Sequence, residues 1–505
     1  MDKQRSLSLR FPVGGVVRRT AFEAQAPFTT PDALNVWPTQ WDTGRERGGS
    51  RPGLTASGGS ISGTPYNWCN ASWGVTGGGT RREIAVTHAG GTSVSNGAGS
   101  WSTYITTAPG SVISSCAVYV GRLFQATAAG PLRSVDLATG PGAGTAVTAV
   151  AGTAPTNCGI VVTWGDRLVL GADYNNPSNI YSCRIGLTEG GDQGYLDWDY
   201  SAVDQSAPWA SSGSEGGIIS DPVTSLIPHN RDCLLIGCTD SLWVMRGNPT
   251  AGGQAYVLSY EVGPLMQSAW CKTGNDYVLM LTRDGLYSMA PGCGDPPVSV
   301  SREKIPEELI GISPEAGDHV AVGYDHRWRG VHIYVERSGV YSYWFYDLQS
   351  GGFWPMSFSA NLRLCPSLRR AATTTKSAIL PISSTGAVYQ FDTASSESFQ
   401  SYYLVGPVKL GGAHGSGKIM EIRPALGTES DRVSWGIRTG ASPQDAYEAS
   451  ESFVGKDWDR EGLNPAQHPT VGGNAAYVKL EATGSRRMSV EELTMLVRET
   501  GRRRA

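Results

Sequence analysis

One unit recurs along most of this chain: an apolar run, a tight turn, then a second apolar run. It stands at 83–94 (EIAVTHAGGTSV), 116–126, 160–172, 232–245, 277–289, 330–346 and 378–391. With Ile84, Leu123, Leu168, Leu235, Leu279, Val331 and Ile379 as markers, the steps are 39, 45, 67, 44, 52 and 48 residues. A four-stranded propeller blade occupies about 40–50 residues. The step of 67 leaves room for an insertion at 190–217, rich in Gly, Ser and Asp. A blade cannot bury both of its faces alone. Stacking blades around an axis buries them and leaves only short edges. The pattern predicts an all-β protein, a β-propeller of six to eight blades over 61–399. A pair of β-sandwiches or a β-solenoid would also give short strands with Gly turns, but solenoid periods are shorter and stricter.

Two regions fall outside the repeat. Residues 1–60 hold few clean strands and many Arg, Pro and Gly, and read as an extended, Arg-rich docking segment. A segment without its own core becomes ordered on a partner. Arg18, Arg19, Arg45, Arg47 and Arg51 are its candidate partner-interface residues, because the planar guanidinium fork binds carboxylates bidentately. A solvated loop fits the composition equally well. Residues 400–505 carry longer strands, at 418–425, 433–439 and 477–482, and read as a C-terminal β-domain completing or flanking the propeller. A basic tail follows, with Arg498 and Arg502 to Arg504. Helical signals are confined to 302–310 and 443–449.

Composition limits the function classes. Gly accounts for 65 of 505 residues without a three-residue period, which excludes collagen. Apolar residues make up 40% and charged residues 17%, which argues against disorder. With 41 Lys+Arg against 45 Asp+Glu, the net charge of -4 predicts neither a generic nucleic-acid coat nor a membrane-surface protein. No apolar stretch has the length of a membrane span or a signal-peptide core. The 9 Cys have no metal-site spacing and read as small buried hydrophobes in a reducing compartment.

Each candidate for chemistry has a blander alternative. Gly412-x-x-x-x-Gly417-Lys418 has the outline of a phosphate loop, but Ile419 stands where a Mg²⁺-binding Ser or Thr is needed, and a strand-like stretch follows instead of a helix. A Gly-rich hairpin loop is the better reading. Asp197/Asp199 and Asp457/Asp459 could offer oxygen ligands to Ca²⁺, yet neither has the rest of a known loop pattern, and Asp is a common turn former. His319, His326 and His332 are spaced so that strands do not bring all three to one face. The aromatic residues Trp328, Tyr334, Tyr341, Tyr343, Trp344, Phe345, Tyr346, Phe353 and Trp354 could stack sugars or bases if exposed, or pack between blades. Thr282-Arg-Asp284-Gly285 is a truncated match to a sialidase box and does not recur. No nucleophile elbow occurs. These readings predict no enzyme, no metal and no cofactor.

A family resemblance then enters. Arg19-Thr-Ala-Phe22-Glu23, Phe28-Thr-Thr-Pro31-Asp32-Ala-Leu-Asn35-Val36, Thr43-Gly44-Arg45 and Gly48-Gly-Ser-Arg51-Pro52-Gly53-Leu54 look like the start of the nozzle, or tail tubular B-like, proteins of short-tailed bacteriophages. Further pieces follow in order: Gly165-Asp-Arg-Leu168, Asn176-Pro177, Leu196-Asp197-Trp198-Asp199-Tyr200, and Ser241-Leu242-Trp243-Val244-Met245-Arg246-Gly247. After them come Asp284-Gly285-Leu286-Tyr287, Tyr324-Asp325, Arg329-Gly330-Val331-His332, Gly406-Pro407, Val433-Ser-Trp435 and Thr439-Gly440. The resemblance implies a virion structural protein of the tail, assembled in host cytoplasm. It implies a homo-oligomer, a hexameric ring below the tail adaptor protein, with fibres or spikes nearby and transient passage of viral DNA. No catalytic residues come with the family. The alternative is a binding module, a carbohydrate- or receptor-binding propeller of the tail.

Overall fold

The computed structural model describes the chain except residues 1–3, 40–47, 76–78, 96–99, 189, 212–215, 306, 368–378, 412–414 and 503–505. Among the described residues, seven four-stranded antiparallel sheets follow one another as blades of a β-propeller. Blade 1 opens with Pro65–Val75, blade 2 with Ser114–Tyr119, blade 3 with Cys158–Trp164 and blade 4 with Val223–Pro228. Blade 5 opens with Trp270–Lys272, blade 6 with His319–Asp325 and blade 7 with Leu362–Leu364. The first strands of blades 1 to 4 lean on one another in turn, as do those of blades 5 to 7, and that of blade 7 returns to that of blade 1; blades 4 and 5 meet through an apolar cluster that includes Ile227, Leu235, Val278 and Met280. Six of the markers read from the sequence fall on the second strand of a blade. Ile379, the seventh, lies just before Ile382–Ser383, the second strand of blade 7.

Period-two alternation explains why these strands read as unbroken apolar runs. Both faces of a blade are seams, so alternate residues serve different neighbours. In blade 3, Val161, Leu168 and Leu170 pack toward blade 2 with Phe124 and Leu132. Their sequence neighbours Ile160, Val162 and Val169 pack toward blade 4 with Leu226, Leu234 and Ile236. In blade 4, Ile227 and Leu235 turn the other way, toward Val278 and Met280 of blade 5.

Side chains also stitch the inner strands together. Ser115 Oγ accepts from Val161 N at 2.7 Å, and Thr163 Oγ1 donates to Val118 O at 3.1 Å. The Gln267 amide accepts from Leu226 N at 2.8 Å and donates to Leu226 O at 3.0 Å. Backbone groups that a neighbouring strand would otherwise have to cover are thereby satisfied.

The ring is closed by the amino-terminal region. Gly53–Ser60 pairs antiparallel with Ala387–Asp392 as the fourth strand of blade 7, with Leu54 opposite Phe391. The chain then runs directly into blade 1. Other pieces of the first sixty residues enter the C-terminal module, which consists of two five-stranded sheets. Gln4–Leu9 pairs with Val490–Arg502, which in turn pairs with Gly415–Leu426. Ala33–Leu34 pairs with Ser401–Lys409, which pairs with Ala475–Ala482. The extended docking segment expected over 1–60 is therefore corrected. Its described strands are ordered on this chain's own sheets, because edge strands there offer unpaired backbone groups, and a boundary at 60 would separate blade 7 from its closing strand.

Three other expectations meet the structure. The stretch expected as an insertion, 190–217, begins after the third strand of blade 3, Tyr181–Ser182, and contains its fourth, Trp209–Ala210, so the extra residues fall mainly between those two strands. A helix forms at Pro443–Glu448, started by Ser442, whose side chain accepts from Asp445 N. None forms at 302–310, where the described residues make turns. Pro306 lacks an N–H and disfavours helical backbone at Ile305. All nine cysteines are free thiols, with eight buried and Cys69 half-buried. No helix among the described residues is long and apolar enough to cross a membrane.

Propeller and module share one apolar core, which joins Trp37, Phe345, Phe391, Tyr403, Ile422 and Leu480. Phe391→Ala should lower unfolding stability by about 3–5 kcal/mol by opening a cavity beside Trp37 and His332. Tyr174→Ala, on a residue 77% exposed, should stay within about 0.5 kcal/mol. Urea denaturation compares the two.

Candidate functional site

A dense polar site is the joint where the closing strand, blade 6, the exit from blade 7 and the C-terminal module meet. Arg51 lies at its centre with its side chain wholly buried. Its Nη1 and Nη2 straddle the Glu397 carboxylate at 3.0 and 3.3 Å. Nη1 also donates to Pro52 O at 2.7 Å, Nη2 to Ser357 O at 2.9 Å, and Nε to Asn35 Oδ1 at 3.0 Å. Every N–H of the guanidinium is thus used. The flat cation lies over the Phe358 ring at 4.4 Å and the Phe399 ring at 4.0 Å, and Arg487 lies over the same Phe399 ring at 4.1 Å. Burial pulls the Arg51 pKa down, and the Glu397 charge pushes it back up.

Asn35 completes the joint. Its amide donates to Ser357 Oγ and Gln400 O, at 2.8 and 2.7 Å, while Oδ1 also accepts from Ser357 N. Its backbone is left-handed, with φ of 54°, a conformation that Asn tolerates better than most residues. Glu397 Oε2 takes a further bond from Leu54 N at 2.7 Å, at the start of the closing strand. This chemistry holds segments together. Its groups are saturated by one another, so Arg51 is corrected from a partner-surface residue to a buried tie.

The other interface candidates lie elsewhere. Arg18 reaches Glu308 at 2.6 Å and sits 5.8 Å from the Trp344 ring, while Arg19 pairs with Glu303 at 2.5 Å. Their side chains remain 42% and 47% exposed, on the flank of blades 5 and 6. Arg45 and Arg47 lie outside the described residues.

The remaining candidates resolve into structural roles. Asp197 holds the Arg184 guanidinium at 2.6 Å, and Asp204 shares it at 2.9 Å. Asp199 caps Ser201. Asp457 pairs with Arg432, and Asp459 is exposed. Gly417 and Lys418 lie within Gly415–Leu426. The preceding strand, Ser401–Lys409, belongs to the other sheet, so the two strands do not pair as the expected hairpin, and 412–414 lie outside the described residues. Tyr334, Tyr343, Trp344, Phe345, Phe353 and Trp354 are buried in the shared core.

The three histidines are also separated. His326 packs on Tyr324, and His332 lies among Trp37, Phe345 and Phe391. His319 is buried at the blade 7 to blade 1 side of its strand, where its ring nitrogen meets Tyr66 O at 3.2 Å. Desolvation, aided by Arg363, pushes its pKa down from 6.5 to about 3.

Sequence reasoning singled out Arg51 without its partners. Glu397 is 346 residues away, in a Ser-rich stretch with no motif of its own. Asn35 and Gly53-Leu54 stood among the resemblance residues, and that was the available signal.

No family model matches this chain, and no curated protein matches it. Solved structures are similar at low identity. The extracellular domain of a hybrid two component system from B. thetaiotaomicron is 10% identical, with TM-score 0.43, over 82% of this chain and 49% of that one. BamB from Moraxella catarrhalis is 12% identical, with TM-score 0.34, over 78% of this chain and 100% of that one. YCF48 from Cyanidioschyzon merolae is 9% identical, with TM-score 0.39, over 68% of this chain and 99% of that one. The chain spans about half the length of the first of these.

Two outcomes follow from the joint and from His319. Arg51→Met leaves the Glu397 carboxylate buried without its cation and should cost about 3–5 kcal/mol. Adding Glu397→Gln should recover part of that loss in urea denaturation. For His319, the unfolded chain takes up a proton below pH 6.5 while the folded ring resists until about pH 3. Stability present above 6.5 is therefore lost as pH falls through that window. His319→Gln should show a smaller loss between pH 6.5 and 4 than the parent protein.

Proposed function

We propose that this chain is a structural subunit of a short-tailed bacteriophage tail, a nozzle-type protein. It would assemble as a homo-oligomeric ring, hexameric by family resemblance, below the tail adaptor, and surround the path of the ejected genome. One observation carries this reading: the residues of the resemblance coincide with those on which the fold depends. Asn35, Arg51 and Leu54 form the joint. Arg167 is buried and donates to Ser182 Oγ and Ala207 O, at 3.0 and 2.9 Å. Gly285 makes the turn of blade 5 with φ of 111°, and Trp435 stacks on Trp458 at 4.7 Å. A motif set of this kind marks an inherited scaffold better than an inherited catalytic centre. The tail carbohydrate-binding alternative needs an exposed aromatic platform, and most of the dense aromatic cluster is buried.

Docking on the adaptor is assigned to Arg18 and Arg19, whose guanidinium groups remain partly exposed. Arg18→Glu with Arg19→Glu should weaken co-purification with the adaptor while costing about 0–1 kcal/mol of stability, because the pairs they lose are surface pairs. Undiminished co-purification would count against this docking face. The reading as a whole is tested by cryo-EM of phage particles decorated with an antibody raised against this chain. Label in a ring at the tail, below the adaptor, supports it. Label confined to peripheral fibres supports the receptor-binding alternative, and unlabelled particles overturn both.

A further inference from the structure

Cys69 and Cys116 belong to the first strands of blades 1 and 2, which lie side by side on the ring. Their sulfurs are 3.4 Å apart. A disulfide bond is about 2.05 Å long, so small rotations about the two Cα–Cβ bonds bring the sulfurs into bonding range without moving either strand far. The pair sits in the seam between Ala71, Ala85 and Val94 of blade 1 and Leu123 and Val135 of blade 2. The Cys116 sulfur also lies 3.7 Å from Ala85 O. Cys69 is half-buried whereas Cys116 is buried, so the Cys69 side is the route by which a small oxidant approaches the pair.

We propose that Cys69 and Cys116 form an oxidisable dithiol, a modification site at which a hydroperoxide cross-links blade 1 to blade 2. In the first step the Cys69 sulfur attacks one peroxide oxygen while the thiol proton passes to the other. The O–O bond breaks, water leaves after protonation, and Cys69 becomes a sulfenic acid. In the second step the Cys116 sulfur attacks the sulfenic sulfur and releases its proton, and the S–O bond breaks with loss of a second water. Two thiols lose two electrons and two protons overall, and hydrogen peroxide is reduced to two waters. The second sulfur already lies 3.4 Å away, so the sulfenic acid meets a thiol at once, which directs oxidation to the disulfide ahead of sulfinic acid.

The disulfide closes a loop between residues 47 positions apart and holds two adjacent inner strands at one seam. Chain cross-links of this kind restrict the unfolded state. Opening at the blade 1 to blade 2 seam should become slower once the bond forms.

The full chain is treated with hydrogen peroxide, its remaining thiols are alkylated under denaturing conditions, and the products are read by intact-mass and peptide mass spectrometry without reduction. The expected result is loss of two of the nine titratable thiols, a cross-linked peptide joining Cys69 to Cys116, and full recovery on treatment with dithiothreitol. Cys69→Ser should retain its remaining thiols under the same exposure. Three results would each overturn the proposal: nine thiols retained by the parent chain, Cys69 carried to sulfinic acid with Cys116 still free, or a disulfide between other cysteines. The parent-chain measurement stands even where the variant folds poorly.

Discussion

The ion pair between Arg51 and Glu397 is the interaction on which the rest of this molecule depends. It lies just before the strand that closes the propeller and just after the strand with which that one pairs. Its guanidinium reaches backbone of blade 6, its neighbour Asn35 reaches the entry to the C-terminal module, and Arg487 of the module stacks on the same phenyl ring. A buried ion pair is costly unless all its remaining hydrogen-bonding capacity is met. Here each donor of Arg51 has an acceptor. The joint therefore favours one mutual arrangement of four segments over the many that apolar contact alone would allow.

The seams between blades work differently. They are non-directional, and each strand contributes to two of them by alternation. Four separate apolar clusters serve the seams from blade 1 to blade 5. Blades 5 to 7, the beginning of blade 1 and the module merge into a single larger core. The propeller is thus built from similar seams over most of its circumference and from one composite core on the side where the termini return. Blade 7 carries the ring closure, and the closing strand is the piece of chain that belongs to both ends of the sequence.

Much of this was legible in the residues. Apolar runs at a blade-sized spacing gave one marker per blade, because both faces of each strand must be buried and a Gly- or Asp-based turn must follow. The insertion in blade 3 appeared as the one long step. What the sequence did not reveal was pairing at great distance. Leu54 meets Phe391 and Leu7 meets Met495, and neither contact leaves a periodic trace. The first sixty residues look irregular because their strands are short and go to four sheets in turn, so no local period builds up. An Arg in such a segment resembles a solvated or docking residue until its carboxylate partner is known. The hairpin reading of the Gly-rich stretch failed for a related reason: strands such as Ser401–Lys409 and Gly415–Leu426 look the same in sequence whether they pair together or join different sheets.

The central claim is that the segment ending at Ser60 closes the propeller as a tied strand. Native-state hydrogen exchange of the intact chain tests it most directly, read at Leu54 and Thr55. The predicted result is strong protection of these two amides, since Leu54 is held by Glu397 and Thr55 faces Gln390 in the ladder. Exchange of both amides at the rate of an unstructured chain, with Val331 and Ile333 in the middle of blade 6 still protected, would contradict the closure and return the segment to the status of a free arm.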